Sequence, residues 1–135
     1  DAREQQQPGR TTQRYGKRVK WQTARADILT YLQMKSTETS EKVFERTMSK
    51  YVENKGGMAV KLLSQFINGL PDRMYLLPGG TVIFVEFKST GCKPRPIQRV
   101  ILDRIAALDF NVRVVSNPDE YNDLKELIDF YVNGR

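Results

Sequence analysis

The sequence contains no histidine and a single cysteine, Cys92, and these two shortages exclude several kinds of chemistry. Without histidine there is no Ser-His-Asp triad, no histidine-ligated zinc and no histidine general base. One cysteine cannot form an internal disulfide, which is typical of proteins from a reducing compartment. Any chemistry must therefore come from carboxylates, lysine and hard metal ions.

Long hydrophobic runs are also missing. No stretch approaches the roughly 18 apolar residues of a membrane span, and no signal-peptide pattern opens the sequence. Apolar residues make up 39% of the 135 residues, which is enough for one packed domain. We therefore expect a soluble protein that is not secreted.

Positive charge is concentrated at the start of the chain. Residues 1–25 contain seven basic and two acidic residues, whereas the remaining 110 contain 15 basic and 14 acidic residues. Residues 1–19 lack apolar periodicity and are interpreted as an arm that contacts phosphates, with Arg14, Lys17 and Arg18 as candidate DNA-binding residues. The alternative is a solvated tail.

The rest of the chain alternates helical and extended patterns. Apolar spacing predicts an amphipathic helix from Trp21 to Met34, and a second helix over 41–54 is capped by Thr39 or Ser40. Strands are predicted at 58–63, 72–77, 81–88 and 111–116, and later helices at 95–108 and 117–133. The order α-α-β-β-β-α-β-α indicates an α/β fold, a mixed α+β sheet packed against helices. We divide the chain into residues 1–35, the arm with its helix, and residues 36–135, the folded domain.

The third of these helices carries a run of apolar residues at helical spacing. We expect them to form one stripe. Its members are Ile97, Val100, Ile101, Ile105 and Leu108.

Charged residues end the otherwise apolar strand 81–88. Side chains alternate along a strand, so Glu86 and Lys88 share one face. A three-residue turn at 78–80 sets Asp72 opposite Glu86, whereas a two-residue turn would pair Asp72 with Phe87 and place the two carboxylates on opposite faces. Only the register of the three-residue turn places both carboxylates on one face, where they can form a site.

Two adjacent carboxylates repel each other unless a cation bridges them or one takes a proton. Oxygen ligands completed by water suit Mg²⁺ or Mn²⁺. Lys88 is placed to stabilise a developing negative charge or to orient a water, and the combination describes phosphodiester hydrolysis. The alternative is a chance spacing that ends in an ordinary solvated ion pair.

The segments GLPDR, VIFVEFKS and KPRPIQ together resemble the virus-type replication–repair nuclease (VRR-NUC) family of the PD-(D/E)xK nuclease superfamily. The resemblance runs from about Glu41 to Ser116 and does not cover residues 1–35. It implies a restriction-endonuclease-like αβββαβ core and a divalent-metal-dependent DNA endonuclease, of bacterial or phage origin. The expected location is then the cytoplasm of a bacterium or of a phage-infected host.

The resemblance also implies residue roles. Asp72 and Glu86 would bind the metal with the backbone carbonyl of Phe87, Lys88 would be the catalytic lysine, and Gln98 would lie near the scissile phosphate. Residues after the lysine and beside the aspartate could contact DNA phosphates, with solvated loop charges as the alternative. These are Arg73, Ser89, Lys93 and Arg95.

The family further supplies an acid from its first core helix. Glu41 and Glu45 share a helix face. Glu45 is preferred as catalytic and metal-binding residue because it lies 11 residues before Gly56, a spacing that resembles related junction-resolving enzymes. Glu41 is the reserve, and an exposed surface glutamate is the alternative interpretation of Glu45.

Stand-alone members of the family resemble homodimeric resolvases of branched DNA, which act in repair and recombination. The resemblance therefore implies Mg²⁺, with Mn²⁺ able to substitute, a branched DNA partner and a homodimer. The alternatives are a nicking, homing or flap-directed nuclease with the same site, or a DNA-binding module that does not cleave.

Overall fold

The structure is a computed structural model that describes residues 39–134. The predicted basic arm, with Arg14, Lys17 and Arg18, and the predicted helix 21–34 lie outside these residues. Within residues 39–134 the chain forms helices and strands in the order α-β-β-β-α-β-α. This order and the mixed α+β class agree with the prediction.

The elements begin and end within a few residues of their predicted bounds. They are α1 (Ser40–Asn54), β1 (Met58–Lys61), β2 (Arg73–Leu76), β3 (Val82–Phe87), α2 (Pro96–Ala107), β4 (Asn111–Val115) and α3 (Pro118–Asn133). Thr39 is the N-cap of α1, where its hydroxyl accepts the N–H of Lys42. None of the helices in residues 39–134 combines the length and apolar character that a membrane crossing requires.

The strands form one sheet in the order β1-β2-β3-β4. The pairs β1–β2 and β2–β3 are antiparallel, and β3–β4 is parallel. Parallel neighbours need a crossover connection, and α2 lies in the segment that supplies it. The charged end of β3 therefore lies in the interior of the sheet, between β2 and β4.

The turn between β2 and β3 has the predicted three-residue length. Leu77 donates its backbone N–H to the carbonyl oxygen of Thr81 over 2.8 Å, which closes the loop at residues 78–80. Gly79 and Gly80 have φ angles of 95° and 89°, in the region that glycine enters most easily. The turn thus sets the register that brings the two predicted carboxylates opposite each other.

One face of the sheet is covered by α1 and α3, which also contact each other. Phe44 and Met48 of α1 pack with Tyr75 and Phe87 of the sheet. The Tyr75 hydroxyl is satisfied by the hydroxyl of Ser49, 2.9 Å away. This core holds β3 in place through the face that carries Phe87, and Glu86 points to the other face.

The predicted apolar stripe of the third predicted helix lies largely in contact with water rather than in the core. The buried residues of α2 are Gln98 and Leu102. Ile97, Val100 and Leu108 are exposed. The physical reason is that α2 packs chiefly on β4, at the edge of the sheet, so only the helix positions facing that strand lose their contact with water.

Candidate active site

The two predicted carboxylates meet where β2 begins and β3 ends. Arg73 pairs with Val85, so the next position in the same register sets Asp72 opposite Glu86. In addition to burial, Asp72 raises the pKa of Glu86, as expected of two carboxyl groups that lie close together. Asp72 Oδ2 also accepts the backbone N–H of Phe87 over 2.7 Å, which fixes Asp72 to the strand that carries Glu86. The structure therefore brings together the pair that the loop length predicted.

Glu86 is a buried acid with an unused oxygen. Only 1% of its surface is exposed, and Oε2 has no hydrogen-bond partner among residues 39–134. Burial raises the pKa of Glu86, and the hydrogen bond and charge of Asp72 raise it further. A buried carboxylate oxygen without a partner is costly, so this position favours either a proton or a bound cation.

Lys88 lies one residue beyond the end of β3. Its backbone N–H donates to the carbonyl oxygen of Val115 over 2.9 Å, which continues the parallel pairing of β3 with β4. Its side chain is half-buried, and its positive charge acts to lower the pKa of both Glu86 and Glu41. The ammonium group therefore belongs to the same electrostatic cluster as the carboxylates.

The acid that α1 contributes to this cluster is Glu41. Burial raises its pKa, and the charge of Asp72 is the next largest cause, while Lys88 acts in the opposite direction. Glu41 lies in the first turn of α1. The start of this helix is thus directed at the carboxylates and the lysine.

Glu45, the preferred helix acid from the sequence, is engaged elsewhere. Its carboxylate accepts the Nε–H of Arg73 over 3.0 Å and pairs with the ammonium of Lys61. Arg73 follows Asp72 on the strand and therefore points to the opposite face of the sheet, where Glu45 lies. The catalytic and metal-binding role of Glu45, like that of the reserve Glu41, stays a prediction. Arg73, which also donates to the Ala59 carbonyl, stays a predicted DNA contact.

Gln98 lies in the first turn of α2 and is buried. Its side-chain oxygen accepts the backbone N–H of Arg95 over 2.8 Å and so caps the helix. A contact between Gln98 and a phosphate would therefore use its amide nitrogen, the donor end. The predicted role near the scissile phosphate stays a prediction.

The loop after Lys88 is tied to the start of α1. The backbone N–H of Thr90 donates to the hydroxyl of Ser40 over 2.9 Å. Ser89 is half-buried on this loop, and Lys93 and Arg95 are exposed beyond it. Exposed basic groups thus follow the site along the chain, and their contacts with DNA stay predictions.

Sequence analysis missed two features of this region. The Ser40–Thr90 bond joins residues 50 positions apart, and no local pattern indicates it. Phe66 was treated only as part of a loop. Glu41 was named as the reserve helix acid, and its place directly after the predicted cap already indicated that it lies at the end of the helix.

Gly69 fixes the segment that leads into Asp72. It is buried and has φ = 88°. A Cβ atom on Gly69 would lie 2.8 Å from the carbonyl oxygen of Ile97, so the first turn of α2 packs directly on this backbone. Glycine is required here for two reasons, the positive φ angle and the close approach of the Ile97 carbonyl oxygen.

We expect Gly69→Ala to lower the free energy of unfolding by clearly more than Gly80→Ala. Both residues have φ near 90°, which costs a side chain about 1–2 kcal/mol. A Cβ at Gly80 meets nothing within 4 Å, so that variant carries the backbone cost alone and is the matched control. Urea denaturation measures both, and equal losses would show that the contact with Ile97 can relax.

The site offers only part of the oxygen ligands that a hard cation needs. Within residues 39–134, no three acidic or cysteine side chains lie close enough together to hold a metal ion by themselves. Asp72 and Glu86 supply two carboxylates, the backbone carbonyl of Phe87 could supply a third oxygen, and water would complete the shell. The unpaired Glu86 oxygen fits such a cation, because the cation would supply the partner that the protein lacks.

Comparison with known proteins finds two informative similarities. The chain is 39% identical over 79 residues to "Putative nuclease p44" of Acyrthosiphon pisum secondary endosymbiont phage 1, a match that covers 58% of this chain and 85% of that protein. A solved structure described as "VRR_NUC domain" is 31% identical with a TM-score of 0.61, and the match covers 66% of this chain and 97% of that domain. No family model matches the chain.

The mixed sheet between helices and the carboxylate pair on its inner hairpin define a nuclease domain of the PD-(D/E)xK type. The chain belongs to the virus-type replication–repair nuclease (VRR-NUC) family. The resemblance noted in the sequence and the predicted fold are thereby confirmed. The proposed boundary at residue 35 stays a prediction.

Proposed function

We propose that this protein is a divalent-metal-dependent endonuclease that hydrolyses phosphodiester bonds in branched DNA. The observation that carries the proposal is the buried, unpaired oxygen of Glu86 beside Asp72, at a strand end that continues into Lys88. Membership of a nuclease family supports the class of reaction. Metal use and the preference for branched DNA are what the experiments below test.

Asp72 and Glu86, with the backbone carbonyl of Phe87, would hold Mg²⁺, and Mn²⁺ would substitute because it accepts the same oxygen ligands. When bound, the ion supplies Lewis-acid stabilisation of the phosphate and lowers the pKa of a bound water. The hydrogen bond from Phe87 to Asp72 keeps this carboxylate in place in the absence of any ligand. This bond would hold the carboxylate in position for the ion.

Lys88 and Glu41 would act on the water and the phosphate. The ammonium of Lys88 would orient the attacking water and stabilise the negative charge that develops on the phosphate. Glu41 shares the electrostatic field of Lys88, so its carboxylate would help to hold the lysine or accept a proton from the water. In this scheme Glu41 takes the position first assigned to Glu45.

Binding to DNA would rely on basic residues around the site. Lys93 and Arg95 are exposed close to Lys88 in the chain, and Ser89 is a further hydrogen-bond donor for phosphate oxygens. The amide nitrogen of Gln98 would add a donor from the start of α2. The basic residues of the first 19 positions would extend the contact surface and make binding sensitive to salt.

A two-fold homodimer would suit this activity. One chain supplies one carboxylate pair, whereas the resolution of a four-way junction requires two symmetric cuts. A monomer with the same site would instead nick one strand or cut at a flap. The substrate panel described next separates these outcomes.

The test incubates the purified full chain with labelled duplex, flap, splayed-arm and four-way-junction DNA in Mg²⁺, Mn²⁺ or Ca²⁺. We expect cleavage of branched DNA in Mg²⁺ and Mn²⁺ and binding without cleavage in Ca²⁺. Asp72→Asn, purified in parallel, should not cleave, which excludes a contaminating nuclease. Binding without cleavage under every condition would favour a DNA-binding module, and cleavage of duplex alone would refute the preference for branches.

Deleting residues 1–19 should weaken DNA binding and flatten its salt dependence. The segment contains five basic residues, and each phosphate contact contributes about 0.9 to the slope of log K against log salt for duplex DNA. We expect the slope to fall by about 2–4, with the cleavage rate at saturating protein unchanged. Fluorescence anisotropy from about 50 to 200 mM salt measures it, and an unchanged slope would show that the segment does not contact DNA.

A further inference from the structure

The loop between β1 and β2, residues 62–72, exposes apolar side chains beside the site. Phe66 is 93% exposed, more than any other large apolar residue in the part of the chain that the structure describes, and Leu63 and Ile67 on the same loop are also exposed. A fully exposed phenylalanine adds nothing to the core. It lies on the loop that ends at Asp72, one of the two carboxylates, and its ring is open to a ligand of the site.

The loop is fastened at both ends. The backbone N–H of Leu62 donates to the carbonyl oxygen of Asp72 over 3.0 Å, which closes the loop at the residue that carries one carboxylate. Three residues before Asp72, the Gly69 backbone packs against Ile97 in the first turn of α2. Phe66 therefore projects from a loop whose two ends are anchored next to the site.

The chemistry of the loop differs from that of its neighbours. Residues 62–71 contain no charged side chain, whereas the segment after Lys88 that leads into α2 contains Lys93 and Arg95. Phosphates are recognised by basic groups, but an uncharged aromatic surface fits the faces of bases. Bases in continuous duplex are covered by their neighbours, whereas those at a branch point are open to stacking.

We propose that Phe66 stacks on an exposed base at the branch point of the DNA and so makes the enzyme prefer branched over continuous duplex. This inference rests on the proposed nuclease function and adds a residue that determines its substrate class. Phe66 is a binding residue in this scheme, since the carboxylates and Lys88 act on the phosphate. Loss of the ring should weaken binding to branched DNA about 10-fold to 100-fold and leave binding to duplex within about twofold.

The experiment uses the full chain in Ca²⁺ with a splayed-arm DNA that has thymines at the branch point. Permanganate attacks the face of an unstacked thymine, so it reports stacking independently of cleavage. We expect wild type and Phe66→Trp to protect a branch-point thymine, and Phe66→Ala and Phe66→Leu to leave it reactive. Phe110→Ala removes another exposed ring, 46% accessible and directly before β4, and should behave as wild type.

The outcomes separate the inference from the proposed function. If wild type neither binds nor cleaves any DNA, the proposed function fails and the inference fails with it. If wild type cleaves branched DNA but Phe66→Ala gives the same protection and affinity, only the inference is refuted. If Phe66→Ala changes the sedimentation coefficient and not the DNA preference, the loop contacts another protein chain and the inference is again refuted.

Discussion

Replacing Lys88 with alanine is expected to slow DNA cleavage by about 10²–10³-fold, with fold and DNA affinity nearly unchanged. The side chain lies beyond the end of β3 and outside the hydrophobic core, so its removal creates no cavity. The variant loses one positive charge at the position where negative charge would develop on the phosphate. An interaction of that kind is worth about 3–4 kcal/mol in the transition state.

The measurement is a single-turnover rate at saturating protein on the best substrate of the panel, together with a melting temperature and an anisotropy titration. Lys93→Ala is the matched control, because it removes an exposed lysine from the same loop and should change the rate only a few-fold. A Lys88→Ala rate within tenfold of wild type would remove this lysine from the proposed mechanism.

Glu86→Gln is expected to stabilise the metal-free protein at alkaline pH. Burial, followed by the hydrogen bond and charge of Asp72, raises the pKa of Glu86 from 4.5 to about 9 in the folded protein. Between pH 4.5 and about pH 9, the Glu86 carboxyl is protonated in the folded protein and ionised in the unfolded chain. The contribution of Glu86 to the free energy of unfolding is therefore fully present below about pH 4.5. It is lost progressively as the pH rises toward 9.

Glutamine keeps the shape of the protonated acid but cannot ionise, so it avoids this loss. We expect the gain near pH 8 in EDTA to exceed that near pH 5 by about 4 kcal/mol, since each of the three intervening pH units contributes about 1.4 kcal/mol. Mn²⁺ should raise the melting temperature of wild type, because it binds only the folded state, and should have little effect on Glu86→Gln. Thermal denaturation at the two pH values, with and without Mn²⁺, measures both effects.

Glu45→Gln is the matched control for this second prediction. Its carboxylate pairs with Lys61 and Arg73, so neutralising it should cost a little stability rather than add any. The same change in stability for Glu86→Gln at pH 5 and pH 8 would mean that folding does not raise the pKa of this carboxyl group. An unaltered Mn²⁺ response would remove Glu86 from the proposed ligands.

The carboxylate pair could be predicted because its geometry is determined locally. A strand alternates with period two, and a three-residue turn sets the register, so the placement of Asp72 opposite Glu86 required only the hairpin sequence. The choice between Glu41 and Glu45 was different, because both share one helix face. It depends on which end of α1 meets the strand ends, and that follows from long-range contacts such as Ser40 with Thr90.

The buried face of α2 was unpredictable for a related reason. Apolar residues occur around much of this helix, and the sequence does not reveal that β4 is an edge strand covering only one side of it. Leu102 and Gln98 are buried by that contact, and Ile97 and Val100 are left exposed. Periodicity predicts that a helix has an apolar face, but the tertiary structure decides which positions are covered.

The bond between Ser40 and Thr90 holds the start of the described domain next to the loop that follows Lys88. The first 38 residues lead into Thr39, directly before the helix turn that is tied to the loop following Lys88. DNA held by the basic residues of that segment would be tethered at the mouth of the site, where its effective concentration is set by the length of the connecting chain. If those residues bind DNA as proposed, a strand released after one cut would return to the site before it diffuses away. Successive cuts would then be made on the same DNA molecule, so cleavage would be processive rather than distributive.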